Sequence, residues 1–160
     1  MTVRQLSSPM TTWRIGDADG RFPIFSPDGA VLSEGRWHCK GQAVIYTSQN
    51  YGTALLEKLA HWNGILPPNQ HYITVTIPTQ TTYEVVTKDQ IPNWADKEGR
   101  AARAFGAAWI EEARSTLLIV PSVVSREETN VLINPHHPDA GGIAPSLERP
   151  VTWDARLFAR

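Results

Sequence analysis

Residues 43–63 read AVIYTSQNYGTALLEKLAHWN, and this stretch decides the fold class. Its opening letters, AVIYTS, are rich in β-branched and aromatic residues and predict a short strand. The apolar residues that follow recur at three- and four-residue spacing, which predicts a helix over residues 50–63. Ser48 or Asn50 can cap the start of this helix, and Gly64 can end it. The stretch therefore indicates a fold that contains both strands and helices.

Alternating and apolar runs on either side of this stretch predict further strands. Residues 71–77 alternate strictly and place Ile73, Val75 and Ile77 on one face, which is typical of a half-buried strand. Residues 115–124 are almost wholly apolar, which predicts a central strand covered on both faces. The remaining predicted strands are residues 11–15, 43–48, 82–86, 130–134 and 151–158, of which 82–86 is alternatively the return arm of a hairpin.

A second helix is predicted over residues 98–113. Ala102, Phe105 and Trp109 lie at helical spacing, and Glu98 stands near the start, where the helix dipole favours an acid. The composition of the 160 residues, with 41% hydrophobic and 19% charged, excludes a disordered chain and a coiled coil. We therefore predict one compact α+β domain over residues 1–160.

Charge and cysteine content exclude several classes of function. The 15 basic and 16 acidic residues give a formal net charge of -1, so we expect no direct nucleic-acid binding. The single cysteine, Cys39, excludes an internal disulfide and a multi-cysteine metal site, which is typical of a reducing compartment. No apolar run approaches the ~20 residues that span a bilayer, and the first residues do not resemble a secretory signal. We expect a cytoplasmic protein without membrane contact.

Common catalytic motifs are absent from the sequence: it has no phosphate-binding loop, no G-x-S-x-G elbow and no dinucleotide-binding G-x-G-x-x-G. The adjacent pair His136-His137 does not predict a metal site, because neighbouring side chains on an extended segment point to opposite faces. Cys39 is not predicted to be a nucleophile, since adjacency to His38 does not place a base beside its thiol. We predict a turn or surface role for the histidines and no metal.

Three polar residues stand in settings that suit either a site or ordinary structure. Arg36 lies in a Gly-flanked turn, where it can bind a diphosphate or form a surface salt bridge. Glu57 lies among leucines in the first predicted helix, where its charge is either used at a site or exposed beside Lys58. Ser122 is the lone hydroxyl in an apolar run, and buried serines commonly bond to the backbone.

Taken together, the order of the motifs resembles the RES-domain family, which is named for its Arg, Glu and Ser. The resemblance extends over about residues 12–138. The motifs that carry it are Trp13-Arg14, Gly35-Arg36-Trp37, Tyr46-Thr47-Ser48, Glu57, Pro121-Ser122 and Asn130-x-Leu132-Ile133-Asn134-Pro135-x-His137-Pro138. The family includes toxins of bacterial toxin–antitoxin modules that pair with a helix-turn-helix, Xre-like antitoxin.

The resemblance implies an ADP-ribosyltransferase-like fold, with a mixed or antiparallel sheet flanked by helices, and an enzyme that cleaves the nicotinamide–ribose bond of NAD. Glu57, Arg36 and Tyr46 are then the expected catalytic residues. A carboxylate such as Glu57 stabilises the positive charge that develops on the ribose. The residues expected to bind NAD are Arg14, Arg36, Tyr46, Ser122 and Asn134.

The resemblance also implies that NAD is the substrate and that no further cofactor or metal is needed. It implies an antitoxin as partner, in a homo-oligomer or a toxin–antitoxin hetero-oligomer. Growth arrest would follow from depletion of NAD. The acceptor of the ADP-ribose stays open between water, phosphate and a protein side chain. Two alternatives to NAD degradation are an ADP-ribosyltransferase that modifies a protein and a catalytically silent interaction module.

Overall fold

The computed structural model describes residues 2–158 of the chain. Residues 1, 159 and 160, which the predicted domain includes, lie outside the described residues. The helices are α1 (Asp28–Leu32), α2 (Tyr51–His61) and α3 (Arg100–Glu112), with 3₁₀ turns at Pro138–Gly142 and Ala155–Leu157. The strands are β1 (Arg4–Gln5), β2 (Met10–Asp17), β3 (Ile45–Ser48), β4 (Gln70–Ile77), β5 (Thr82–Val85), β6 (Leu117–Pro121), β7 (Thr129–Ile133), β8 (Ala144–Pro145) and β9 (Arg149–Pro150).

In the described part of the chain, nine strands form one mixed sheet in the order β1-β5-β6-β7-β3-β2-β4-β8, and β9 also pairs with β4. The pairing of β5 with β6 is parallel, whereas the ladders of β2 with β4, β3 with β7 and β6 with β7 are antiparallel. The predicted α+β class, with a mixed sheet flanked by helices, is confirmed. No helix within residues 2–158 is both long and apolar enough to cross a membrane.

The core lies on both faces of the sheet, and β6 contributes to each side. Leu117 and Ile119 pack in one apolar cluster with β4, whereas Leu118 and Val120 pack in the other, against Trp109 of α3. Alternate residues of a strand point to opposite faces, so a strand covered on both sides is apolar throughout. The prediction of a central, doubly covered strand is confirmed, although the strand is shorter than the apolar run.

Helix α2 begins and ends through side-chain and backbone caps that the sequence indicates. The Asn50 side-chain oxygen accepts a hydrogen bond from the Thr53 backbone N–H at 2.7 Å. At the other end Asn63 adopts a left-handed backbone with φ of 54°, and the Gly64 N–H donates to the Leu59 carbonyl at 2.9 Å. These two features form a Schellman motif. Asn50 is therefore the cap of the two candidates, and both Asn63 and Gly64, whose φ is 75°, have positive φ at the end of the helix.

Two sequence-based predictions differ from the structure. Residues 151–158 do not form a strand: 151–154 are irregular, and a 3₁₀ turn follows at Ala155–Leu157. The reason is local, because the Asp154 carboxylate caps this turn by accepting from the Arg156 backbone and guanidinium. The hairpin alternative for β5 is also wrong, since β5 pairs with β1 and β6 rather than with β4.

Candidate active site

A cleft opens where β2 and β3 separate. Along their described residues these strands pair only at Trp13 and Ser48, whereas β2 pairs with β4 along its whole length. Continuing the β2–β3 register would place Ile15 opposite Tyr46. The Tyr46 carbonyl instead accepts a hydrogen bond from the Arg14 guanidinium, Nη1 to O, at 2.8 Å. An arginine side chain thus occupies the place of a missing ladder bond, and the gap between the strands becomes a cleft.

Arg14 is held in this gap by two backbone carbonyls. In addition to Tyr46, its Nε donates to the Ile24 carbonyl at 2.6 Å. Burial lowers the pKa of the Arg14 guanidinium to about 10, while interaction with Tyr46 opposes this shift. The side chain therefore keeps its positive charge at neutral pH. A fixed, partly desolvated cation at the base of a cleft attracts an anionic ligand.

Glu57 faces the cleft because of its position on α2. Ala54, Glu57, Lys58 and His61 all line the cleft, at the spacing of one helical face. The Glu57 Oε1 accepts a hydrogen bond from Ser122 Oγ at 2.9 Å and another from the Asn130 amide at 2.6 Å. Both donors are neutral, so the carboxylate is oriented while its negative charge stays uncompensated by them.

The partners of Glu57 are themselves held by the sheet. Ser48 Oγ donates to the side-chain oxygen of Asn130 at 2.8 Å, and this contact follows from the β3–β7 register, which pairs these two residues. Ser122 is fully buried directly after β6 and accepts from the Ser125 N–H at 3.1 Å. The carboxylate is therefore fixed by groups from two strands rather than by the helix alone.

The cleft has a volume of about 240 Å³ and adjoins a second cavity of about 290 Å³. Arg14, Ile15 and Lys58 line both spaces. Burial and the nearby Arg14 charge lower the pKa of Lys58, and Asp17 opposes them. The walls of the cleft are Trp13, Arg14, Ile15, Tyr46, Thr47, Ser48, Ala54, Glu57, Lys58, His61 and Asn130.

Tyr46 lines the cleft, whereas Arg36, the other predicted catalytic residue of this part of the chain, is not among its walls. The Tyr46 hydroxyl accepts from the Trp37 N–H at 3.1 Å, and burial raises the pKa of its phenol. The Arg36 Nη1 donates to the carbonyls of Trp94 and Asp96 at 2.9 and 2.7 Å. Burial lowers the pKa of Arg36, and the charge of Glu57 counteracts this effect. Arg36 thus lies within electrostatic reach of Glu57.

Asn134 is not brought to this cleft. The antiparallel register pairs Ser48 with Asn130 and Ile45 with Ile133, so Asn134 lies beyond the opposite end of β7. Four residues of strand separate Asn130 and Asn134 by roughly 13 Å. The side-chain oxygen of Asn134 accepts from the His136 N–H at 3.0 Å, and the residue is buried. Ser122, in contrast, is brought into direct contact with Glu57.

His137 and Cys39, which were not predicted to bind a metal or to act as a nucleophile, are not among the walls of the cleft. His137 Nδ1 contacts Thr116 Oγ1 at 2.9 Å and accepts from the Asp139 N–H, which caps a 3₁₀ turn. Cys39 is exposed. Across residues 2–158 there is no group of three or more His, Cys, Asp or Glu side chains that could hold a metal ion.

Comparison with known proteins decides the family. The model of the RES domain matches residues 11–154. The chain belongs to the RES-domain family. A relative from Sphingobium sp. (strain YBL2), named "Prs ADP-ribosylating toxin", is 38% identical over an alignment of 160 residues. The alignment covers 94% of this chain and 99% of the relative. A "Toxin Res" from Pseudomonas putida is 29% identical over 93% of this chain and the relative's full length.

A solved structure shares the fold of this RES domain. A chain from the crystal structure of the M. tuberculosis MbcT–MbcA toxin–antitoxin complex superposes with a TM-score of 0.75. The match covers 92% of this chain and 87% of the other, at 15% sequence identity. At this identity the match supports the fold alone.

Several residues of the RES cleft had no role in the sequence-based prediction. Asn130 and Ser48 lie within the motifs of the resemblance, and their pairing across β3 and β7 makes them a unit. Lys58 and His61 share the helical face of Glu57. Lys58 and His61 could have been predicted from the sequence, because they lie at helical spacing from Glu57. The strand register is a tertiary property, so a single sequence offers no comparable signal for Asn130.

Proposed function

We propose that this RES domain is the toxin of a toxin–antitoxin module and that it breaks the nicotinamide–ribose bond of NAD. The observation that carries the proposal is Glu57, a carboxylate held by neutral donors and open to a cleft with a fixed arginine at its base. The relatives from Sphingobium and Pseudomonas putida, both named toxins, support the toxin assignment. We propose that this activity takes place in the cytoplasm.

The proposed reaction uses the charge of Glu57 at the ribose. The bond between ribose C1′ and the nicotinamide nitrogen breaks, and its electron pair leaves with neutral nicotinamide. Positive charge then develops on the ribose, and a nearby carboxylate stabilises this state more than the ground state. The acceptor's oxygen or nitrogen forms the new bond to C1′ and loses a proton to solvent. Because Ser122 and Asn130 hold one carboxylate oxygen, Glu57 is oriented before NAD binds.

Arginine side chains supply the proposed contacts to the NAD diphosphate. The Arg14 Nε and Nη1 atoms donate hydrogen bonds to the carbonyls of Ile24 and Tyr46. Within residues 2–158 its Nη2 atom has no such partner, so it can donate to a ligand. Arg36 provides a second guanidinium on the side of Glu57. The Tyr46 ring lines the cleft and is proposed to stack on the nicotinamide or the adenine. We assign the ribose or carboxamide contact expected for Asn134 to Asn130, which lines the cleft.

The acceptor distinguishes two forms of this proposal. With water or phosphate the RES domain would degrade NAD, whereas with a protein side chain it would be an ADP-ribosyltransferase. The name of the Sphingobium relative, "Prs ADP-ribosylating toxin", favours the second form. The two forms share the cleavage step and the role of Glu57.

An antitoxin is the proposed partner of the chain. The M. tuberculosis structure with the same fold is a toxin–antitoxin complex, and the family resemblance implies a helix-turn-helix antitoxin. An acidic group or chain end placed between Arg14 and Arg36 would imitate the diphosphate and block the cleft. We propose a toxin–antitoxin hetero-oligomer, in which the block protects the cell's NAD.

The test is incubation of the purified chain with NAD, in parallel with the Glu57→Gln variant. Released nicotinamide measures bond cleavage, and mass spectrometry identifies free ADP-ribose, ADP-ribose phosphate or a modified protein. Reactions with and without phosphate and with added cell lysate separate the acceptors. Absence of nicotinamide release under all three conditions would favour the catalytically silent interaction module.

Expression in cells tests the toxin assignment independently. We expect the chain alone to arrest growth with a fall in cellular NAD or with modification of a host protein. Co-expression of the adjacent open reading frame is expected to relieve the arrest. A harmless chain that still consumes NAD when purified would contradict the toxin assignment and indicate a housekeeping NAD-consuming enzyme.

A further inference from the structure

His38 is a buried histidine whose ring nitrogens are both engaged. Its side chain contacts the cleft residue Tyr46, with Nδ1 at 2.7 Å from the hydroxyl oxygen. Its Nε2 lies 2.8 Å from the Ala30 carbonyl and 2.9 Å from the Ser33 carbonyl. These two carbonyls belong to α1 and the residue that follows it. The ring therefore connects the α1 segment to the cleft strand β3.

The partners of the ring determine where its proton lies. Carbonyl oxygens only accept hydrogen bonds, so Nε2 must carry the hydrogen that it shares between Ala30 and Ser33. In the neutral ring Nδ1 is then an acceptor, and the Tyr46 hydroxyl donates to it. The same hydroxyl accepts from the Trp37 N–H at 3.1 Å. The hydrogen of the Tyr46 hydroxyl and one lone pair of its oxygen therefore both take part in hydrogen bonds.

Gly35 provides the space in which this contact forms. A Cβ atom at Gly35 would lie 2.7 Å from both the Tyr46 hydroxyl and the His38 Cε1 atom. Such distances are shorter than van der Waals contact, so any side chain here would require the Tyr46 hydroxyl or the His38 ring to shift. The backbone also bonds across this turn, since the Gly35 N–H donates to the His38 carbonyl at 3.1 Å. Arg36 and Trp37 lie between these two residues.

We infer that His38 is a positioning residue, which fixes the Tyr46 ring in the cleft and the turn that carries Arg36. This inference rests on the proposed function, since it assigns Tyr46 and Arg36 to NAD binding and cleavage. Because the Tyr46 hydrogen is committed to His38, Tyr46 offers its ring to the substrate rather than a proton. The His38–Tyr46 contact thus orders one wall of the site before the substrate arrives.

Two substitutions separate the contact of His38 with Tyr46 from its contacts with the Ala30 and Ser33 carbonyls. In His38→Asn the amide oxygen takes the place of Nδ1 and still accepts from Tyr46, while the bonds to Ala30 and Ser33 are lost. In His38→Gln the amide nitrogen takes the place of Nε2 and still donates to those carbonyls, while the acceptor for Tyr46 is lost. We expect His38→Gln to lower kcat for nicotinamide release about tenfold with a near-parental melting temperature.

His38→Asn is expected to show the opposite pattern, with kcat retained within about threefold and a lower melting temperature. A merely structural histidine would give activity losses that follow the losses of stability, and this result would overturn the inference. So would parental kcat in His38→Gln. In a Tyr46→Phe background, adding His38→Gln is expected to change kcat no further, because the hydroxyl that it positions is absent.

An NMR measurement tests the contact without relying on activity. Nitrogen shifts of the His38 ring in the full chain are expected to show the Nε2–H tautomer, with Nδ1 changing in Tyr46→Phe. The Nδ1–H tautomer would overturn the inference on its own. A parental chain that releases no nicotinamide would refute the proposed function, and with it the role of His38 in catalysis. The NMR result would still report the His38–Tyr46 contact, so the two failures are distinguishable.

Discussion

Two glutamates of this molecule, Glu57 and Glu84, are held in opposite ways. Glu57 accepts hydrogen bonds from two neutral side chains and lines a cleft. Glu84, on β5, is fully buried, and its Oε1 lies 3.3 Å from the Nε of Arg114. A carboxylate beside a fixed cation is largely neutralised, whereas one held by neutral donors keeps its attraction for a cationic centre. The difference separates a carboxylate that serves structure from one available for chemistry.

Arg114 completes the comparison on the structural side. It also donates to Glu112 at 2.8 Å, and its guanidinium lies over the Phe105 ring. Burial opposes its charge, but the hydrogen bonds to Glu112 and Glu84 raise the pKa of Arg114 above its usual value. The Glu84 carboxylate is therefore paired with a cation, whereas the hydrogen bonds to Glu57 come from neutral side chains.

The largest expected effect comes from removing the cation beside Glu84. Arg114→Met keeps an apolar side chain of similar length but leaves the buried Glu84 carboxylate without its ion-pair partner. We expect the free energy of unfolding to fall by about 3–5 kcal/mol, measured by chemical denaturation. Adding Glu84→Gln to this variant is expected to restore part of the loss. An unchanged unfolding free energy in Arg114→Met would show that Glu84 needs no cation, and the comparison would fail.

The next effect concerns rate rather than stability. Glu57→Gln keeps the shape and an oxygen that accepts from Ser122 and Asn130, but removes the charge. We expect nicotinamide release to fall ~10²-fold or more, since charge stabilisation at the developing cation is lost. The melting temperature is expected to stay near that of the parent. Parental turnover in this variant would remove Glu57 from the catalytic residues.

A smaller effect is expected from the amide that orients Glu57. Asn130→Ala removes the 2.6 Å hydrogen bond to the carboxylate and is expected to lower nicotinamide release about tenfold. Asn134→Ala is the matched comparison at the other end of β7, and we expect a smaller loss of rate per folded molecule. A larger loss of initial rate in Asn134→Ala than in Asn130→Ala would support the ligand contact first expected for Asn134.

The smallest effect is expected at Arg36, where the guanidinium makes contacts with backbone as well as its proposed contact with NAD. Lysine keeps the charge but not the planar set of donors. We expect Arg36→Lys to raise the KM for NAD about two- to tenfold and not to recover the affinity lost in Arg36→Ala. Parental affinity in the lysine variant, measured by initial-rate kinetics, would indicate that Arg36 only supports its turn.

Features encoded in short segments were predictable from the sequence. The alternation of Ile73, Val75 and Ile77 predicted the buried face of β4, and Asn50 was one of two predicted caps of α2. The apolar run at 115–124 predicted a strand covered on both faces, because burial on two sides requires an apolar residue at each position. The error at 151–158 arose where local side-chain bonds of Asp154 outweighed a strand-like pattern.

Features that depend on strand register were not predictable in this way. Asn130 and Asn134 occur in the same motif, and only the pairing of Ser48 with Asn130 shows which of them reaches Glu57. Arg14 was expected to bind NAD, but its bonds to the Tyr46 and Ile24 carbonyls, which depend on where β2 and β3 separate, were not expected. Such a separation is decided by the whole sheet, so the residues of one strand do not reveal it.

The single pairing of Trp13 with Ser48 also has a structural consequence. It divides the long strand ladders into two groups, one built on β2 and β4 and the other on β3, β6 and β7. Among the described residues, the hydrogen bonds between the two groups are that one pairing and the Arg14 bond to the Tyr46 carbonyl, while α2 and the core residues Ile45 and Ile73 pack across the gap. Arg14 therefore belongs to the bonding of the sheet as well as to the cleft, so its replacement is expected to disturb both.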